Sequence, residues 1–100
     1  MKRPKADPQL IRDTFEILQT ALDARIMQKG DGIFRNYHEI SGVLTEEMNE
    51  FEEEVHNNHM SAIRSELLDV AVGALWGVVS IDSGEIERFH KRRPNHEKIT

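Results

Sequence analysis

One hundred residues, 38% apolar and 31% charged, suffice for one domain with a single core and exclude a disordered chain. The absence of cysteine excludes a disulfide framework and any thiolate ligand or nucleophile. A net charge of −5 argues against a general nucleic-acid binder, and no N-terminal stretch combines a basic start with an apolar core as a signal peptide would.

In chain order, Asp7 followed by Pro8 is a helix start, a capping residue and then proline at the first helical position. Ile11, Phe15, Leu18, Leu22 and Ile26 recur at helical spacing, and Gly30-Asp31-Gly32 stops the pattern, so a first helix is expected over about 8–29. A connector with two aromatics, Phe34 and Tyr37, follows. The second helix is expected over about 38–55, with Ile40, Val43, Leu44, Phe51 and Val55 on its buried line. "HNNH", residues 56–59, is a turn, with Asn57 or Asn58 the expected cap of the next helix. The third helix, about 60–82, turns Ile63, Leu67, Val70, Ala71, Ala74, Leu75 and Val78 inward. Gly73 and Gly77, four residues apart, give it a thin face for close packing, against a helix of this chain or of a second subunit. A short fourth helix, about 85–92, ends before Pro94, and a basic tail closes the chain. The longest apolar run, "LLDVAVGALWGVVSI", has about 15 residues and contains Asp69, short of the roughly 20 needed to span a bilayer. A soluble, cytoplasmic, all-α protein without a membrane partner is expected.

The charge is unevenly spread. Between Glu39 and Asp69 nine acids face one base, Arg64, whereas Arg88, Lys91, Arg92, Arg93 and Lys98 outnumber Glu97 in the tail. "EEMNEFEEEV", residues 46–55, holds six glutamates, and like charges three and four apart on a helix repel. Glu52, Glu53 and Glu54 are expected to be a solvated face. Glu47 and Glu50 are three apart on the second helix, and Glu66 and Asp69 three apart on the third. An antiparallel hairpin turning at residues 57–58 brings Glu50 level with Glu66 and Glu47 level with Asp69, about 12 Å from the turn. Asp69 stands in an apolar run, where a buried carboxylate is costly unless neutralised or paired. Four carboxylates of this kind suit a hard divalent cation, Mg²⁺ or Mn²⁺.

"EEMNE" (Glu46 to Glu50), 15 residues, then "ELLD" (Glu66 to Asp69) fits the pattern E-E-x-x-E … E-x-x-D. It resembles the all-α nucleoside triphosphate pyrophosphohydrolases, the MazG-like and dimeric dUTPase-like superfamily, over about residues 38–82. The resemblance implies a Mg²⁺-dependent hydrolase that cleaves a (d)NTP to the monophosphate and pyrophosphate, in a role such as removing non-canonical nucleotides. Carried over by position, Glu47, Glu50, Glu66 and Asp69 are the metal ligands, with Mn²⁺ a possible substitute. Glu46 orients the attacking water or acts as a base. The family forms dimers or tetramers, so the helical hairpin core is expected to extend to a four-helix bundle completed by a homodimer or homotetramer. Arg88, Lys91, Arg92 and Arg93 are candidates for phosphate oxygens, with a solvated helix end as the competing role. Phe34, Tyr37 and Trp76 are candidates to stack on a base, with core or interface packing the competing role. The histidines lack zinc-site spacing, and no glycine-rich phosphate loop or Ser-His-Asp arrangement is present. Two other readings keep the scaffold without turnover: a silent oligomerisation or adaptor module, and a metal-binding regulator that senses nucleotides.

Overall fold

The structure, a computed structural model, describes residues 2–86. Every regular element among them is a helix: α1 (Pro8–Lys29), α2 (Tyr37–Asn57) and α3 (Met60–Asp82). The chain divides into two compact units, Met1–Asp31 and Gly32–Thr100. No helix among the described residues is long and apolar enough to cross a membrane. Glu85 and Ile86 have helical backbone; the rest of the expected fourth helix and the tail lie outside the described residues.

The first unit is α1 with its approach. Asp7 caps it by accepting a hydrogen bond from the Gln9 N–H at 2.9 Å, and Pro8 occupies the first turn. Gly30, at φ +84°, ends it, and its N–H donates to the Ile26 carbonyl at 2.8 Å. The expected apolar row divides in two. Leu18, Leu22 and Ile26 are half-buried, but Ile11 and Phe15 are exposed.

The second unit is an antiparallel hairpin of α2 on α3. Asn36 caps α2 by accepting from the Glu39 N–H at 2.9 Å. Asn58 does not cap α3 as expected. It closes α2 in the left-handed region, φ +58°, with its N–H on the Val55 carbonyl at 3.2 Å, and His59 begins α3 without a side-chain cap. The glycine face packs within the chain: a methyl group on Gly73 would stand 3.4 Å from Leu44 Cδ2, and one on Gly77 3.2 Å from Ile40 Cγ2. Both pairs are centred between residues 58 and 59, half a residue from the expected centre. Beside this seam Phe34, Val72, Trp76 and Ile86 are buried. Ser80 is fully buried and satisfied, its Oγ donating to the Trp76 carbonyl at 2.8 Å and accepting from the Phe34 N–H at 3.0 Å.

Several side chains expected inward are not. Val55, Leu67, Ala74 and Val78 are exposed. For the three on α3 the reason is that helix's composition. It is apolar on almost every side, so periodicity does not single out one face, and the inward face goes to Gly73 and Gly77, which allow the backbones to approach. The displaced residues form rows of their own. On α3, Leu67, Ala71, Ala74, Val78 and Ile81 follow each other at alternating steps of four and three. On α2, the exposed Tyr37, Ser41, Met48 and Val55 lie along one line with the half-buried Leu44 and Phe51 between them, Leu44 also meeting Gly73.

Candidate metal centre

The middle of the hairpin carries the acids. α2 presents Glu47 one turn from Leu44, and α3 presents Glu66 and Asp69 one turn from Val70 and Gly73. Close packing at the glycines draws the two helices together there. Glu47, Glu66 and Asp69 each offer a carboxylate oxygen, and these oxygens lie within 4.8 Å of one another. Glu47 and Glu66 are half-buried; Asp69 is exposed, not enclosed as its apolar sequence neighbours led one to expect. The surroundings of Asp69 in sequence are not its surroundings in space, because Leu67 and Leu68 turn away from it around the helix.

Glu66 is the electrostatic centre of the group. Its pKa is raised, first by loss of hydration, then by the charges of Glu50 and Asp69, a hydrogen bond with Glu50, and the charge of Glu47. Oε2 of Glu66 is closed to solvent without a hydrogen-bond partner, and Oε2 of Glu47 is closed to solvent as well. Glu50 is itself exposed, and it joins the cluster through Glu66, its level partner in the hairpin.

A hard divalent cation fits this arrangement. Oxygens that bind an octahedral ion at about 2.1 Å lie about 3 Å apart when adjacent and about 4.2 Å apart when opposite. A separation of at most 4.8 Å closes to those values by small side-chain rotations. The donors are all carboxylate, which favours Mg²⁺ or Mn²⁺ over softer ions. Glu66 Oε2, stripped of water and of hydrogen bonds, would gain the partner it lacks.

The other candidates are placed as follows. Glu46 is exposed on α2. Tyr37 is 44% exposed at the start of α2. Phe34 and Trp76 are buried, and Trp76 Nε1 donates to the Gly32 carbonyl at 2.9 Å, so both rings serve the hairpin's own packing. Arg88, Lys91, Arg92 and Arg93 lie outside the described residues. Glu52 and Glu53 are exposed as expected; Glu54 is half-buried, and its carboxylate meets His59 Nδ1 at 3.0 Å across the turn. Ser80 was not foreseen as a structural residue, since a lone serine late in an apolar helix carries no sequence signal for burial.

No protein-family model, curated protein or solved structure matches this chain.

Proposed function

We propose that this chain is a divalent-metal-dependent nucleoside triphosphate pyrophosphohydrolase that converts a (d)NTP to the monophosphate and pyrophosphate. One observation carries the reading: carboxylates from two facing helices, Glu47 on one and Glu66 and Asp69 on the other, converge within 4.8 Å around a carboxyl group that is costly to ionise alone. The spacing E-E-x-x-E … E-x-x-D that produces this convergence is the one that resembles the all-α pyrophosphohydrolases.

Glu47, Glu66 and Asp69 would hold Mg²⁺, with Glu50 completing the set from beside Glu66. A bound Mg²⁺ would supply charge neutralisation for the phosphates, Lewis acidity towards a water, and stabilisation of the leaving pyrophosphate. The residues do the rest. An unmetallated acid cluster repels a triphosphate, so the substrate would bind only once the cation is in place or with it. The rigid hairpin holds the carboxylates in place before the substrate arrives, which lowers the reorganisation needed for reaction. Glu46, one residue before Glu47 and open to solvent, is the group that would orient the attacking water or take its proton. The tail arginines and lysine would bind phosphate oxygens, and Tyr37 is the one stacking candidate of the three that is not buried. The active form would be a homodimer or homotetramer.

The test is release of both pyrophosphate and monophosphate from a panel of canonical and modified NTPs and dNTPs, with Mg²⁺, with Mn²⁺ and with EDTA. Release with either metal and none with EDTA is expected. No release from any substrate, by folded protein with metal bound, would replace this reading with a silent module or a nucleotide sensor.

A further inference from the structure

An aspartate or asparagine side chain is open to attack by the backbone nitrogen of the next residue when that N–H is free of hydrogen bonds and the backbone can bend towards it. The fold closes this route at nearly every such residue. After Asp13, Asp23, Asn49 and Asp69 the next N–H lies inside a helix and is held by the helical ladder. The N–H groups of Asn58, His59 and Ser83, which follow Asn57, Asn58 and Asp82, donate to the carbonyls of Val55, Glu54 and Val79 at 3.2, 3.4 and 3.0 Å. Asp7 precedes Pro8, which has no N–H. Asn36 has its Oδ1 held by the Glu39 N–H at 2.9 Å and is followed by the bulky Tyr37. Among the described residues, Asp31–Gly32 is the step left open. Both residues are exposed and lie in irregular backbone. None of the described residues hydrogen-bonds the Asp31 carboxylate or the Gly32 N–H, and glycine has no Cβ to shield its nitrogen. The Gly32 carbonyl, by contrast, is engaged: it accepts from Trp76 Nε1 at 2.9 Å.

We infer that Asp31–Gly32 is a covalent modification site, at which the aspartate of the folded protein isomerises to isoaspartate without an enzyme. The Gly32 nitrogen attacks Cγ of the protonated Asp31 carboxyl. Its proton leaves with the carboxyl hydroxyl as water, and a succinimide ring closes. Water then opens the ring at either carbonyl. Opening at Cγ restores aspartate. Opening at the Asp31 backbone carbonyl leaves the peptide bond on Cγ, which is isoaspartate. The water lost is regained, nothing is oxidised or reduced, and no co-reactant is needed. The product has one more methylene in its backbone and a free α-carboxylate, a group of the class that a carboxyl methyltransferase accepts. The added methylene immediately precedes Gly32, so it displaces the carbonyl that holds the chain's single tryptophan. The inference stands whether or not the acid cluster turns over nucleotides.

The test is to age the full chain at physiological temperature and near-neutral pH and to map isoaspartate by mass spectrometry of its peptides. Isoaspartate should accumulate at residue 31 at least about tenfold faster than at Asp82, the aspartate whose following N–H is bonded. The gap should narrow in urea, which frees the Ser83 N–H. Asp31→Glu should abolish the reaction, because a longer side chain must close a larger ring. Gly32→Ala is the conservative probe. A Cβ at Gly32 meets nothing within 4 Å, so the variant should keep its circular dichroism while its methyl group slows closure about tenfold. Tryptophan emission should shift in step with the isoaspartate content. Folded protein in which Asp31 stays intact, or converts no faster than Asp82, would overturn the inference. So would a Gly32→Ala rate equal to that of the unaltered chain. A gap just as wide in urea would overturn the selection by hydrogen bonds, and emission that stays constant would overturn the link to Trp76.

Discussion

Glu66 sits where burial and three neighbouring acids oppose its ionisation. A carboxyl whose folded pKa lies above its unfolded one makes its full contribution to stability while protonated, and that contribution is lost as pH rises. The metal-free protein should therefore lose stability from the ordinary carboxylate range upward, through the raised pKa of Glu66. Urea titrations at a series of pH values in EDTA should show this fall, Glu66→Gln should flatten it, and Mg²⁺ should oppose it by binding the native state alone. In the pyrophosphohydrolase reading, Glu50→Gln and Asp69→Asn should each lower turnover on the order of 10²–10³-fold with unchanged circular dichroism, since both side chains are exposed. Retained activity in either variant would remove that residue from the site. Ser80 gives a purely structural counterpart. Ser80→Ala strips the buried Phe34 N–H of its acceptor and should cost about 1–3 kcal/mol in a urea melt.

At the scale of the helices, the α2–α3 contact is set by two glycines with different clearances. Alanine raises helix propensity by about 1 kcal/mol over glycine. At Gly73 the added methyl meets Leu44 Cδ2 at 3.4 Å, an ordinary contact, so Gly73→Ala should be neutral to stabilising. At Gly77 it meets Ile40 Cγ2 at 3.2 Å, and a larger side chain there must push α2 away. Gly77→Val should destabilise by about 1–3 kcal/mol in a urea melt. At the turn, Asn58 occupies the left-handed region. Asn58→Ala should cost about 1 kcal/mol, while Asn58→Gly should be close to neutral.

For the whole molecule, Met48 on α2 and Leu67 and Val78 on α3 are large apolar side chains left exposed. Among the described residues of the second unit the buried apolar side chains are Phe34, Val72, Trp76 and Ile86, a small core for a hairpin of this length. If a second copy completes it, the thermal midpoint should rise with protein concentration, and a midpoint independent of concentration would count against the bundle. The helices themselves were legible in the chain. Asp7-Pro8 and Gly30 mark the ends of α1, and the period of Ile40, Leu44 and Phe51 marks α2, because caps and periodicity are local properties. The level pairing of the four acids was also legible, since a tight turn fixes the register of an antiparallel pair. The inward face of α3 was not. Leu67, Ala74 and Val78 look as buried in sequence as Val70 and Val72, and only contact with α2 separates them.

The sequence by itself determined the helical class, the helix limits and the approach of Glu47 and Glu50 to Glu66 and Asp69. Each of these follows from residue spacing along a helix and from one short turn. Only the tertiary structure decided which face of α3 meets α2, that Glu66 rather than Asp69 is the half-buried carboxyl, that Trp76 and Phe34 are committed to packing, and that Leu67 and Val78 stay exposed. Those depend on backbone separation, which Gly73 and Gly77 set by bringing the two helix axes together, and no residue's own neighbours in the chain encode that distance.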